Sequence, residues 1–240
     1  MTEDKKQAKR IQTSLLNGVE KKALTWMAER MPAWVTSDML TIVGFVGALI
    51  IATGYALSNL NLNWLWLASF GFLVNWFGDS MDGSLARVRG TQRKTYGFFI
   101  DHNVDVINET IMFVGVGTSP LVNMSFAMAA LVAYFMLSVY VYIDCHLKGE
   151  MRLTYASLGP TEFRLGVIIV NTCFIFIPWL SEWKKPVTLF HNEFMIGLFD
   201  YVAVLATVLV LIAYLSSFFK EIKYFSRIDP LKKEEKKEEK

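Results

Sequence analysis

Long apolar segments alternate with short polar ones along most of the chain. Six of the apolar segments lie at 39–58, 62–78, 96–116, 124–143, 160–180 and 194–219. A helix of about 20 apolar residues crosses the roughly 30 Å hydrocarbon core of a bilayer. The pattern therefore predicts an all-α membrane protein with six transmembrane helices, which form one domain over 39–219.

The chain before the first segment predicts a helix of another kind. From Ile11 to Met27, apolar residues recur at helical spacing, with lysines and glutamates on the other side. Such a helix can lie on a membrane surface, or it can pack on the protein with its polar face in water; we favour the surface position. It ends near Pro32, and Thr36 or Ser37 can cap the next helix. We therefore expect an interfacial amphipathic helix and a linker over 1–38.

Basic residues are concentrated in alternate connections between the six segments. The connections 59–61 and 118–123 carry no charge, and Lys184 and Lys185 are the exceptions on that side. Lysine and arginine mark the cytoplasmic side of a membrane protein, so both termini are predicted to be cytoplasmic. The charged tail covers 220–240, and its last ten residues, 231–240, include too few apolar residues to fold alone. The basic connections are the N-terminal region, the loop with Arg87, Arg89, Arg93 and Lys94, the loop with Lys148 and Arg152, and the tail.

Composition agrees with a membrane protein. Of 240 residues, 53% are hydrophobic and the net charge is only +2, which does not favour a nucleic-acid-binding protein. The mean hydropathy is +0.35. Cys145 and Cys173 lie in or beside apolar runs without metal-ligand spacing, so we interpret them as reduced core residues.

Four aspartates interrupt this apolar pattern: Asp79, Asp82, Asp101 and Asp105. Carboxylates beside membrane-spanning segments are costly and require a compensating partner, for which a bound cation is the simplest choice. Spacings of three and four residues put each pair on one helical face, and two antiparallel neighbouring helices joined by a basic loop of roughly ten residues would bring the pairs together. Oxygen ligands alone favour hard ions such as Mg²⁺, Mn²⁺ or Ca²⁺, and two such ions would suit a phosphoryl-type displacement.

Small residues near the aspartates leave room for a flat or bulky ligand. Gly83, Ala86 and Gly97 lie near the same faces, and Arg87 offers a planar donor for phosphate. A nucleotide diphosphate would fit such a site.

These residues together follow the pattern DxxDGxxAR, nine further residues, and then GxxxDxxxD. The pattern resembles the signature of the CDP-alcohol phosphotransferase family, whose members are membrane enzymes of phospholipid synthesis. The close resemblance covers 79–105, and the six-helix layout after an amphipathic helix is similar to the family fold.

The resemblance implies that an alcohol attacks a phosphate of a CDP-linked substrate and that CMP leaves. Two divalent cations, Mg²⁺ or Mn²⁺, would bridge the diphosphate, and a homodimer is implied. Asp105 would be the general base at the edge of the metal cluster. The implied metal ligands are chiefly Asp79, Asp82 and Asp101, together with Asp105, and the implied nucleotide-binding residues are Asp79, Asp82, Gly83, Ala86, Arg87 and Gly97.

In the family, an arginine near the start of the fifth transmembrane helix can bind a phosphate of the acceptor. Arg164 is the candidate here and Arg152 is the second choice; the alternative is an ordinary pair of Glu162 and Arg164 at a helix start. We favour CDP-diacylglycerol as donor and inositol, inositol phosphate, glycerol phosphate or serine as acceptor. CDP-choline or CDP-ethanolamine with a lipid alcohol is the alternative, because His102 after the third aspartate slightly resembles that group.

Other interpretations of the polar residues stay open. An ion-coupled transporter would also carry intramembrane acids, although usually near the midplane and in repeated halves. A scaffold that keeps only the fold is a third alternative. The polar positions continue from the aspartates into the apolar segments at Asn75, Asn108 and Glu109, which either support the site or form packing contacts. We interpret His102 as structural and Asp144 as interfacial.

Overall fold

The structure, a computed structural model, describes residues 9–11, 16–148, 150–152, 159–177, 179–189 and 192–231. It is mostly helical, with a 3-10 turn at Leu62–Trp64 before the third helix. In chain order the elements are β1 (Lys9–Ile11), α1 (Asn17–Arg30), α2 (Ser37–Leu57), α3 (Leu65–Arg89), α4 (Lys94–Gly117), α5 (Met124–Lys148), β2 (Glu150–Arg152), α6 (Pro160–Phe176), α7 (Trp179–Glu182), β3 (Lys184–Leu189), β4 (Asn192–Gly197) and α8 (Leu198–Ile228).

Each of the six predicted transmembrane segments coincides with a long helix: α2, α3, α4, α5, α6 or α8. Three of them, α2, α5 and α8, are long and apolar enough to cross a membrane. In α3 and α4 aspartates interrupt the apolar sequence, and α6 has only 17 residues. The predicted count of six spans therefore remains a prediction.

The structure confirms the predicted helical class, and two pairs of short strands are an addition that the sequence did not indicate. β1 pairs in parallel with β2, so the first helix begins at Asn17 and not at Ile11. β3 and β4 form an antiparallel hairpin, which occupies the predicted start of the sixth transmembrane helix. That helix therefore begins at Leu198, while its other end extends past the predicted limit to Ile228.

α2 is the centre of the packing around the acidic stretch. α3 packs along α2 more extensively than on any other described element, and α4 also packs on α2. Glycines bring α2 and α3 into backbone contact: a Cβ atom on Gly78 would lie 2.6 Å from Cα of Gly44. Small residues at helix interfaces permit this close approach in membranes.

The connection from α3 to α4 differs from its prediction. A loop of about ten residues between two packed neighbours was expected, but the loop has four residues, 90–93, because α3 continues to Arg89. Gly90 ends α3 in the left-handed conformation, with φ of 65°, which glycine adopts without strain. α3 and α4 make few contacts with each other, since both pack on α2.

Two apolar clusters hold the helices. One joins α1 to α2 and α3 through Leu24, Ala28, Leu40, Met81 and Leu85. The other joins α2, α3 and α6 at the far end and includes Ile51, Tyr55, Leu65, Ala68, Phe72, Leu121 and Phe174. Cys145 is buried and Cys173 is partly buried, and both are free thiols, as predicted.

Polar contacts fix the ends of the helices. Thr36 caps α2, as predicted, by accepting a hydrogen bond from the amide of Met39 at 3.2 Å. Arg93 donates to both oxygens of Asp38 at 2.6 Å, and these bonds raise the pKa of its guanidinium. The start of α4 is thereby held to the start of α2.

Candidate active site

Three of the four aspartates meet in the cleft between α3 and α4. Each of Asp79, Asp101 and Asp105 offers a carboxylate oxygen that lies within 4.8 Å of the oxygens of the other two. Asp101 and Asp105 project from one face of α4 because they are four residues apart. Three carboxylates at this distance repel one another unless cations neutralise them.

The fourth aspartate lines the same cleft but has partners of its own. Asp82 accepts a hydrogen bond from the Thr41 hydroxyl of α2 at 2.7 Å and another from the amide of Gly83. α2 supplies the floor of the cleft with Thr41 and Gly44. The residues around this small cavity are Thr41, Gly44, Asp79, Asp82, Asp101, Val104, Asp105 and Asn108.

Arg164 reaches the aspartates from α6. Its Nη2 atom donates to Oδ2 of Asp79 at 2.7 Å, and its Nε atom donates to Oδ1 of Asn75 at 3.1 Å. Asn75 in turn donates to the carbonyl of Gly44 at 2.9 Å, so one amide joins α2, α3 and α6. The arginine that the sequence proposed for the acceptor is thus beside the aspartate cluster.

The alternative of a simple Glu162–Arg164 pair is not what the structure contains. Glu162 accepts hydrogen bonds from the amides of Gly159, at 3.0 Å, and Leu16, at 2.8 Å. It therefore holds the starts of α6 and α1, while Arg164 turns to α3.

Asn108 adds a further oxygen to the cleft. The residue is 4% exposed, and its Oδ1 atom has no hydrogen-bond partner among the described residues. Carboxylate and amide oxygens are the ligands that hard divalent cations take in proteins. The clustered carboxylates and this buried oxygen fit a divalent cation.

The residues assigned to the nucleotide lie beside the cleft, at the loop end of α3 and the start of α4. A Cβ atom on Gly83 would lie 3.3 Å from Nη1 of Arg87, so the glycine leaves that guanidinium space. Arg87 donates to the Ser84 hydroxyl at 2.8 Å. A Cβ atom on Gly97 would have no heavy atom within 4 Å, which leaves that side of α4 open. Ala86 lies one turn of α3 after Asp82.

The remaining polar residues have structural partners. Nδ1 of His102 is 2.8 Å from the carbonyl oxygen of Phe98. The carboxylate of Glu109 lies near the hydroxyl of Tyr134 of α5. Asp144 pairs with Lys148 at 2.8 Å. The backbone of Arg152 belongs to β2, and its side chain lies outside the described part of the structure.

Sequence reasoning missed Thr41. A signal for it was present, because Ser37, Thr41 and Gly44 repeat at intervals of four and three residues in a helix that is otherwise apolar. This spacing puts small and polar residues on one face of α2.

Comparisons with known proteins agree on one family. The family model described as CDP-alcohol phosphatidyltransferase matches residues 34–211. The archaetidylinositol phosphate synthase of Pyrococcus horikoshii is 31% identical over 142 residues, which are 59% of this chain and 70% of the relative. The phosphatidylinositol phosphate synthase of Cutibacterium acnes is 34% identical over 84 residues, 35% of this chain and 38% of the relative. The archaetidylinositol phosphate synthase of Methanothermobacter thermautotrophicus is 28% identical over 148 residues, 61% of this chain and 71% of the relative.

Proposed function

The chain belongs to the CDP-alcohol phosphatidyltransferase family, and from this premise we propose that it synthesises a phospholipid that carries inositol phosphate. A hydroxyl of inositol phosphate attacks the lipid-linked phosphate of a CDP-lipid, and CMP leaves. Family membership already makes the chain a phosphotransferase of phospholipid synthesis and excludes the transporter alternative. The three similar proteins are synthases of inositol phosphate lipids, which supports inositol phosphate as the alcohol.

The observation that supports an acceptor with its own phosphate is the position of Arg164 beside Asp79. Its Nε and Nη2 atoms donate to Asn75 and Asp79, and its Nη1 atom has no hydrogen-bond acceptor among the described residues. A guanidinium binds phosphate through parallel N–H donors. An acceptor that carries its own phosphate gains this contact, whereas serine or free inositol does not.

The aspartate cluster would hold two divalent cations, Mg²⁺ or Mn²⁺, on Asp79, Asp82, Asp101 and Asp105. When bound, they supply positive charge for the diphosphate and for the charge that develops during phosphoryl transfer. When all three are ionised, the clustered carboxylates carry three negative charges against one from Arg164, so a cation is favoured at this site.

The protein's own residues bind and orient the substrates. Asp105 takes the proton of the attacking hydroxyl. The cytidine diphosphate lies along the loop end of α3, and the residues that line it are Asp79, Asp82, Gly83, Ala86, Arg87 and Gly97. Arg164 binds the acceptor phosphate, and Arg152 is the second candidate.

The membrane arrangement belongs to the same proposal. Six helices cross the bilayer, both termini are cytoplasmic, and α1 lies on the membrane surface. The aspartates then lie at the cytoplasmic edge, where a soluble acceptor and a bilayer-bound donor can meet. The family resemblance adds a homodimer.

A donor-by-acceptor screen tests the function. Purified protein in nanodiscs is incubated with CDP-diacylglycerol, the corresponding CDP-linked archaetidyl lipid, or CDP-choline. Each donor is combined with inositol phosphate, inositol, glycerol phosphate or serine, with Mg²⁺, Mn²⁺ or EDTA, and CMP is measured. We expect CMP release with a CDP-lipid and inositol phosphate, and none in EDTA. Release only with another acceptor, or only with CDP-choline, contradicts the proposal.

The variant Asp105→Asn is the blank for this screen. The amide cannot accept the proton at neutral pH, so we expect CMP release to fall to background, while cytidine nucleotide binding stays within a few-fold. Isothermal titration with CMP and Mg²⁺ measures the binding. Full activity in this variant contradicts the assignment of Asp105 as the base.

A further inference from the structure

One carboxylate of α1 joins three helices near the candidate active site. Oε1 of Glu20 accepts hydrogen bonds from the indole of Trp76 at 2.8 Å and from the hydroxyl of Thr161 at 2.6 Å. The Ser80 hydroxyl is a third, longer contact at 3.5 Å. Hydrogen bonds to a carboxylate are shorter and stronger than those between neutral groups. Glu20 therefore connects α1 with α3 and with the first turn of α6.

The contacts of Glu20 lie one helical step from those of Arg164. Thr161 and Arg164 are three residues apart and share one face of α6. On α3, Trp76 and Ser80 face Glu20, while their neighbours Asn75 and Asp79 contact Arg164. The hydrogen bond from Thr161 to Glu20 and the hydrogen bond from Arg164 to Asp79 therefore both depend on where α6 lies.

A second carboxylate acts between the same two helices from the other side. Glu162 of α6 accepts from the amide of Leu16, just before α1, and from the amide of Gly159 at the start of α6. A carboxylate at a helix start is favourable because the first amides of a helix have no partner within it. The starts of α1 and α6 are therefore tied in both directions.

We infer that Glu20 is a positioning residue for Arg164: through Thr161 it fixes the first turn of α6, from which the guanidinium reaches the aspartate cluster. The inference rests on the proposed function, in which Arg164 binds the acceptor phosphate. It gives α1, which lies outside the matched residues 34–211, a role in acceptor binding.

Kinetics separate this role from a merely structural one. Glu20→Ala is expected to raise the KM for inositol phosphate about tenfold, the equivalent of one lost hydrogen bond to a charged group, and to change the KM for the CDP-lipid less than twofold. Glu20→Gln keeps an acceptor oxygen and should restore most of the loss, to about threefold. Equal changes in both KM values, or a change in kcat alone, contradict the inference.

Glu29→Ala is the matched control on the same helix. Glu29 is exposed, and its contact among the described residues is with its neighbour Arg30 at 3.9 Å. Its loss should leave both KM values unchanged. In an Arg164→Ala background, Glu20→Ala should add less than twofold to the acceptor KM, because the two residues act in series. A full additional tenfold effect overturns the coupling.

Hydrogen exchange tests the placement of α6 without any enzymatic readout. Peptides that cover 159–166 should take up deuterium faster in Glu20→Ala than in the unmodified chain, and Glu20→Gln and Glu29→Ala should not differ from it. Unchanged exchange in Glu20→Ala refutes the inference even if no acceptor is turned over. Faster exchange in a chain that does not use inositol phosphate refutes the proposed acceptor and leaves the tie between α1 and α6 supported.

Discussion

The substitution Arg164→Ala gives the sharpest test of how the acceptor is selected. It removes two hydrogen bonds, to Asp79 at 2.7 Å and to Asn75 at 3.1 Å, from a side chain that is 16% exposed. Hydrogen bonds to charged groups contribute about 1.5–3 kcal/mol. Partial exposure of Asp79, at 26%, favours the lower part of this range. We therefore assign about 2 kcal/mol to the contact between Arg164 and the acceptor phosphate. Its loss would weaken acceptor binding roughly 30-fold, at ~1.4 kcal/mol per factor of ten.

The assay measures CMP release with one substrate varied and the other saturating. Arg164→Ala should raise the KM for inositol phosphate about 30-fold, while the KM for the CDP-lipid changes little. Arg164→Lys keeps the charge but loses the planar fork, so its effect should be intermediate. Turnover of free inositol, if it is measurable, should not fall, because that acceptor has no phosphate for the guanidinium.

The half-saturating concentration of Mg²⁺ supplies a second observable. Removal of one positive charge beside three carboxylates should lower this concentration. A normal acceptor KM together with a reduced kcat would refute the reasoning, because Arg164 would then act through Asp79 and not on the acceptor.

Two further substitutions test the scaffold, with thermal unfolding in detergent as the measurement. Gly78→Ala should destabilise the protein by about 3 kcal/mol or more, because the added methyl group would overlap the backbone of α2. Gly166→Ala is the control and should not destabilise it, because no heavy atom lies within 4 Å of the added carbon. Equal melting temperatures for the two variants would contradict the close packing of α2 on α3. Tyr55→Phe should lower the free energy of unfolding by about 1–3 kcal/mol, because Oδ1 of the fully buried Asn171 loses the hydroxyl that donates to it at 3.0 Å. An unchanged stability would show that this hydrogen bond contributes nothing.

The sequence was most informative where the signal is local. Apolar length alone predicted every long helix after α1, and the spacing of the aspartates within α3 and α4 predicted which side chains share a face. The prediction failed where partners are distant in the chain. β3 and β4 pair with each other, so 194–197 is strand although its apolar residues are compatible with a transmembrane helix. No local pattern could reveal that pairing.

The candidate site divides in the same way. The motif identified the four aspartates, but it did not indicate that Asp82 would bond to Thr41 of α2 and stand apart from the other three. Arg164 was selected by its place at a helix start, whereas its contact with Asp79 depends on how α6 packs. Glu20 attracted no attention in the sequence because a glutamate on a polar helical face is ordinary. Its three donors come from residues 56 to 141 positions away.

The glycine contact between α2 and α3 has a consequence for altering substrate choice. Where Gly44 meets Gly78, no side chain separates the two backbones, so one helix cannot slide along the other without steric overlap. α2 and α3 therefore behave as a fixed reference frame that carries Asp79, Asp82 and Thr41. A search for variants with new acceptors should leave α2 and α3 unchanged. It should randomise the residues of α6 that face α3, such as Arg164, because they contact α3 through their side chains.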